Sequence, residues 1–273
     1  MRKIVDIDKL FEKYFKRIML ENKGKFSEDE WLEKLPSYYA EFEKTTFDEL
    51  GGKTPATYFD GDEDILATFL TYVESGVPIS DRLFEGVAKG VEDKKILDLL
   101  TEESDEQVLL AAIEIIRMKN VKYAVNEYID LFFSKKVCKH VKNEIVEDMV
   151  DNADVYAPII LEKVGEEGVS DALCEVLAHS SKKYDKIKRI LLNGLKKGDR
   201  VPEFAAYLTQ YDDESCVDEM KEYIKKVEDY VSYNELALAI EALGGQVEGE
   251  RDFSFDEDYI KIKGANNDSV KKD

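Results

Sequence analysis

The chain has 273 residues, 44% apolar and 36% charged, with 15 Gly and 5 Pro. That is ample material for a packed core, and it excludes a collagenous or low-complexity chain. Its 39 Lys and Arg face 60 Asp and Glu, a net charge of −21, so neither nucleic acid nor an anionic membrane is expected as a partner, both being polyanions.

The N-terminal residues lack the apolar core of a signal peptide, and no apolar run approaches the length of a membrane span. A cytoplasmic protein is expected. Residues 8–23 place Leu10, Phe11, Tyr14, Phe15, Ile18 and Met19 on one helix face. Ser27 and Glu30 form a capping-box signature before a second helix through Trp31, Leu35, Tyr38, Tyr39 and Phe42, which Pro36 is expected to kink or interrupt. Leu50-Gly51-Gly52-Lys53-Thr54-Pro55 is a loop whose spacing does not match a phosphate-binding loop. Asp60-Gly61-Asp62-Glu63-Asp64 starts like a calcium loop, but Ile65 stands where Gly is required and Thr71 where Glu is required. It reads instead as an acidic start to a helix through Ile65, Leu66, Phe69, Leu70 and Val73. Ten of the 29 aromatics lie between Phe26 and Tyr72, which suits a compact helical cap over the end of a larger stack. Residues 79–101 read as a short helix pair.

From residue 104 onward, helical segments of ordinary length alternate with polar breaks. One set begins near Ser104, Val137, Ser170, Arg200 and Ser232, the other near Val121, Val155, Tyr184 and Ser215. Leu109, Val141, Leu173, Phe204 and Leu236 are spaced by 32, 32, 31 and 32 residues, and Ile113, Ile145, Leu177, Leu208 and Ile240 repeat those spacings four residues on. The second helices align in two further columns: Val125, Tyr156, Ile187 and Met220, then Ile129, Ile160, Leu191 and Ile224. A two-helix unit of this size cannot bury its apolar face alone, and stacked neighbours bury it jointly. Ser104, Ser170 and Ser232 stand at expected N-caps, and Pro202 at a first turn, where its missing N–H is harmless.

A repeat of about 31 residues made of two antiparallel helices resembles the HEAT and HEAT-like repeats, the bilin-lyase type included. The stretch Leu236-Ala237-Leu238-Ala239-Ile240-Glu241-Ala242-Leu243-Gly244 resembles the Ala-rich, Leu-Gly-ended helices of that class. The resemblance covers roughly residues 80–245. It implies an α-solenoid with an extended binding surface. Armadillo units are longer, and the Trp-Leu-Gly-Tyr pattern of tetratricopeptide units is absent.

After Gly244-Gly245, the partial alternation of Phe253, Phe255, Tyr259, Ile260 and Ile262 predicts a short β-hairpin or an extended strand closing the last repeat, followed by a polar tail. The expected organisation is therefore all-α: a helical N-terminal cap over 1–78, a HEAT-like α-solenoid over 79–245, and a C-terminal extension over 246–273.

Charge is uneven along the chain. Residues 27–106 hold 22 acids and 7 bases, and residues 201–259 hold 17 acids and 4 bases. Between them, residues 182–200 hold 8 bases and 2 acids. Two basic clusters result: Lys135, Lys136, Lys139, His140 and Lys142, then Lys182, Lys183, Lys186 and Arg189, with Lys188 among them. They make a candidate binding surface for a protein, an acidic peptide or a phosphate-bearing ligand.

Chemistry is sparse. Cys138, Cys174 and Cys216 are odd in number, widely spaced and lack a C-x-x-C, so neither a disulfide framework nor a zinc site is expected. His140 and His179 are the two histidines, and no nucleophile or dinucleotide motif occurs. No cofactor, metal or catalytic residue is expected. The leading expectation is a non-enzymatic binding scaffold. The alternative is a nucleic-acid-processing enzyme, because some HEAT-like solenoids are alkylpurine DNA glycosylases; the charge of −21 disfavours it.

Overall fold

The computed structural model describes residues 2–103, 105–120, 124–164, 169–249 and 251–262. The chain is all-α: among the described residues no strand forms, and only an isolated bridge joins Phe47 to Lys53. There are two compact units, Met1–Ile145 and Val146–Asp273. The division falls inside α8 (Lys139–Asp151). None of the described helices is long and apolar enough to cross a membrane.

In the first unit, α1 (Ile7–Glu21) and α2 (Glu28–Phe42) form an antiparallel pair. Asp6 caps α1 by accepting the Lys9 amide at 2.9 Å. The capping box of α2 forms as its spacing predicts: the Ser27 amide donates to Glu30 at 2.8 Å, and the Glu30 amide donates to Ser27 Oγ at 3.3 Å. The helix runs through Pro36. Pro36 and Leu32, whose carbonyl loses its amide partner, both lie on the exposed side, open to solvent. The aromatics of this region pack on one another: Phe11 lies 5.1 Å from the fully buried Phe42 ring, and Phe15 lies 5.6 Å from Trp31, both edge-on.

The unit continues with α3 (Ile65–Ser75), α4 (Asp81–Gly90), α5 (Asp93–Glu102), α6 (Glu106–Lys119) and α7 (Val125–Phe133). Helix α4 packs on α3 and α6, and α5 packs on α6 and α7. The acidic run before α3 is used locally. Asp64 caps the helix, and Asp62 accepts from Thr68 Oγ1 at 2.8 Å and from Arg2 at 3.2 Å.

The second unit holds α9 (Ala153–Lys163), α10 (Asp171–Ala178), α11 (Asp185–Lys197), α12 (Val201–Tyr211), α13 (Val217–Ile224) and α14 (Tyr230–Ala242). Helices α10, α12 and α14 pack in succession, α11 packs on α13, and α11 also packs on α10 and α12.

All eighteen residues of the four aligned columns are buried, none more than 7% exposed. Burial of each large apolar side chain contributes about 1.5–3 kcal/mol relative to exposure. The polar links between hairpins keep a similar stride. Arg117 reaches Glu144, 27 residues on; Ser181 donates to Asp154, Tyr184 to Tyr211 and Lys188 to Ser215, each across 27 residues.

Several helix starts differ in detail from their sequence signals. Ser170 heads α10 and Pro202 sits in the first turn of α12, as expected. Ser232, however, is the third residue of α14. Asp229 heads that helix, because its carboxylate accepts the Ser232 amide at 2.8 Å. Ser104, Val121 and the break over 165–168 lie outside the described residues.

The C-terminal extension forms no strand among its described residues, which corrects the β expectation. Residues 257–262 are helical. Asp256 sets this helix by accepting the amides of Asp258 and Tyr259 at 3.0 Å each, and it also accepts the Tyr230 amide that opens α14. Phe253 packs buried between Tyr230 and Tyr233, whereas Phe255 is 93% exposed, so the apparent alternation does not line one sheet face.

Candidate functional site

The sequence-predicted basic residues form two groups, one in each unit. In the first unit, Lys135 and Lys136 occupy the link between α7 and α8, and Lys139, His140 and Lys142 open α8. No acidic residue stands in that first turn, so the lysines add to the positive end of the helix instead of offsetting it. One acid from α6 faces the group, Glu106, which lies 3.0 Å from His140 Nδ1, whereas Glu144 of α8 is paired with Arg117 of α6 at 2.8 Å. Lys142 extends over the Phe132 ring at 5.8 Å.

In the second unit, Lys182 and Lys183 lie in the link between α10 and α11, and Lys186 and Arg189 lie on the exposed side of α11, three residues apart. Lys183 has a packing role: its ammonium donates to the Tyr211 carbonyl and sits 4.6 Å from the centre of the Tyr211 ring. The Lys182 main chain is likewise engaged, its amide donating to Asp154 at 3.4 Å. Lys188 donates to Ser215 at 3.1 Å. Lys182, Lys186 and Arg189 are exposed bases of this group at the surface.

Neither buried thiol is built as a nucleophile. Burial pushes Cys174 and Cys216 each up to about 11, which keeps the unreactive protonated form. His179 is exposed, its ring facing the carbonyl of Glu175 in its own helix. Among the described residues no group of three His, Cys, Asp or Glu is arranged to hold a metal ion.

Three concave sites stand out. A small cavity of about 180 Å³ lies beside Cys174, with Asp171 and Arg200 in an ion pair at its lining. In the first unit an apolar groove of about 410 Å³ runs along Val77, Pro78, Ile79, Phe84 and Leu110. A larger cleft of about 540 Å³ opens between α13, α14 and the C-terminal extension, and Lys221, Lys225 and Arg251 line it. Sequence reading missed this last group because Arg251 is 26 residues from Lys225. A signal was nevertheless present: these are three of only 4 bases in an acidic stretch of 59 residues.

Comparisons with known proteins add no name to this geometry: no family model, no curated protein and no solved structure matches the chain.

Proposed function

We propose that the chain is a HEAT-like α-solenoid acting as a cytoplasmic, non-enzymatic protein-binding scaffold, which takes an acidic segment of its partner on exposed basic residues. The observation that carries the reading is the burial of all eighteen column residues together with links of 27-residue stride. Such a pattern is what stacked two-helix units require, and stacked units offer extended surfaces for binding. Lys182, Lys186 and Arg189 suit an acidic segment because they are exposed on α11 and its entry link, in a chain that is otherwise strongly acidic. The three free cysteines accord with a reducing compartment.

The test is a capture experiment from the native organism with the full chain, repeated with Lys186→Glu and Arg189→Glu together. Both positions are exposed, and surface changes of this kind alter stability by no more than about 0.5 kcal/mol. Loss of the captured partner supports the surface; undiminished capture refutes it. A fluorescence titration with duplex DNA at low salt runs beside it, and tight, salt-sensitive binding would favour the glycosylase-like alternative.

A further inference from the structure

The cleft between α13, α14 and the C-terminal extension is unusual for where its charge lies. Residues 201–259 carry 17 acids and 4 bases, yet three of those 4 bases, Lys221, Lys225 and Arg251, line this one cleft. Only Glu222 and Glu248 oppose them among its described lining residues. A stretch with a net charge of −13 thus encloses a pocket lined by a small positive excess. Lys225 is paired with Glu222 at 2.6 Å, which leaves Lys221 and Arg251 against Glu248 in the lining.

Arg251 is held in place. Its guanidinium lies 5.7 Å from the Tyr233 ring centre and 5.6 Å from that of Phe253, and it donates to the Ile224 carbonyl at 3.4 Å. A planar cation set against two rings, with one long bond to protein among the described residues, retains donors for an anionic oxygen. The cleft also has an apolar part, supplied by Ile224, Tyr233 and Val247. Its volume of about 540 Å³ falls within the roughly 300–1,000 Å³ usual for small-molecule sites.

We propose that this cleft binds a small organic anion: a carboxylate or phosphate group held by Lys221 and Arg251, on an aromatic or aliphatic body that lies against Tyr233, Ile224 and Val247. The site is separate from the basic surface on α11 and does not depend on the scaffold reading.

The experiment is an amide-resolved NMR titration of the full chain with phenyl phosphate, inorganic phosphate and benzyl alcohol. Phenyl phosphate should move the signals of Tyr233, Val247 and Gly249 saturably, with inorganic phosphate weaker and benzyl alcohol weaker still. Lys221→Glu should weaken phenyl phosphate by about tenfold or more, and Arg251→Gln similarly. Lys226→Glu, at the fourth base of the stretch and outside the cleft lining, should leave binding within about twofold. Because Arg251 also packs on Phe253, the Lys221 variant keeps the test independent of any loosening of the extension. The proposal is overturned by no saturable shift up to about 10 mM phenyl phosphate, by benzyl alcohol binding equally well, or by Lys226→Glu costing as much as Lys221→Glu. Failure here leaves capture of a partner on α11 untouched, so the two ideas fall separately.

Discussion

The ring of Phe204 in α12 lies so close to Gly194 in α11 that a Cβ at position 194 would fall inside the volume the ring occupies. Glycine within a helix costs about 1 kcal/mol relative to alanine, and here it lets two helices of the second unit approach with an aromatic between them. Gly194→Ala should therefore destabilise the protein by about 1–3 kcal/mol through overpacking. In a Phe204→Ala background the same change should become favourable, by up to about 1 kcal/mol, because the space is vacant and helix propensity alone decides. A double-mutant cycle in urea reads the coupling directly. Simple additivity of the two substitutions would show that the ring does not constrain position 194.

Tyr72 of α3 makes a different kind of tie. Its hydroxyl accepts from the Val5 amide at 2.9 Å and donates to the Val5 carbonyl at 3.1 Å, fixing the segment that leads into α1. The Tyr72 side chain is buried, so Tyr72→Phe keeps the packing and removes both bonds. A loss of about 1–2 kcal/mol is expected, with faster hydrogen exchange at the Val5 amide. Unchanged exchange at Val5 would mean that the segment is held by other contacts.

These two ties mark what the sequence made legible and what it did not. The column residues were legible because apolar positions that recur every 31 to 33 residues on one helix face are driven out of water; Leu109 and Ile240 are both buried. The partners of the remote hydrogen bonds change residue type from one link to the next, so nothing local in the sequence signals Tyr72 reaching Val5 or Asp154 reaching Ser181. Position alone also hides use: Lys183 belongs to a basic run, but its ammonium is placed on Tyr211. At the C-terminus, Phe253 and Phe255 alternate as a strand would, yet Asp256 satisfies the amides that follow it, and a helix forms instead. The basic surface on α11 was legible as a charge run, whereas the cleft required Arg251 to be folded back beside Lys221.

Cys174 and Cys216 should report the packing of the second unit chemically, with Cys138 of the first unit as the exposed reference. Cys138 is exposed, and Cys174 and Cys216 are buried. Burial raises the latter two from 9.0 to about 11, so their native form is the neutral thiol. Iodoacetamide at pH 8 should label Cys138 readily and the other two only through opening of the fold. The same shifts fix the alkaline behaviour. A raised native value stabilises the fold fully below 9.0, and that contribution declines as pH climbs from 9.0 towards about 11. Urea midpoints should accordingly fall across that window, and Cys174→Ala with Cys216→Ala should flatten the fall. Rapid labelling of all three cysteines in native buffer would contradict the burial.

Asp154, in the first turn of α9, gathers donors from the link after α10. Ser180 Oγ donates to it at 2.9 Å, the Ser181 amide at 2.8 Å and the Lys182 amide at 3.4 Å, and Ser181 Oγ donates as well. These bonds, those from the Ser181 and Ser180 hydroxyls foremost, hold its carboxyl below the ordinary 3.8. The native state therefore favours the ionised form. Its contribution to stability is complete above 3.8 and is lost as pH falls below that value through the lower native one. Asp154→Asn keeps the shape but replaces an accepting oxygen with a donor facing other donors. The variant should have a lower urea midpoint than the wild type at pH 7 and at pH 5. The gap should narrow below pH 3.8, where the Asp154 carboxyl of the unfolded wild type takes up a proton before the native one does. A gap that stays constant from pH 7 to pH 3 would show that the link is held by its shape and not by the charge on Asp154.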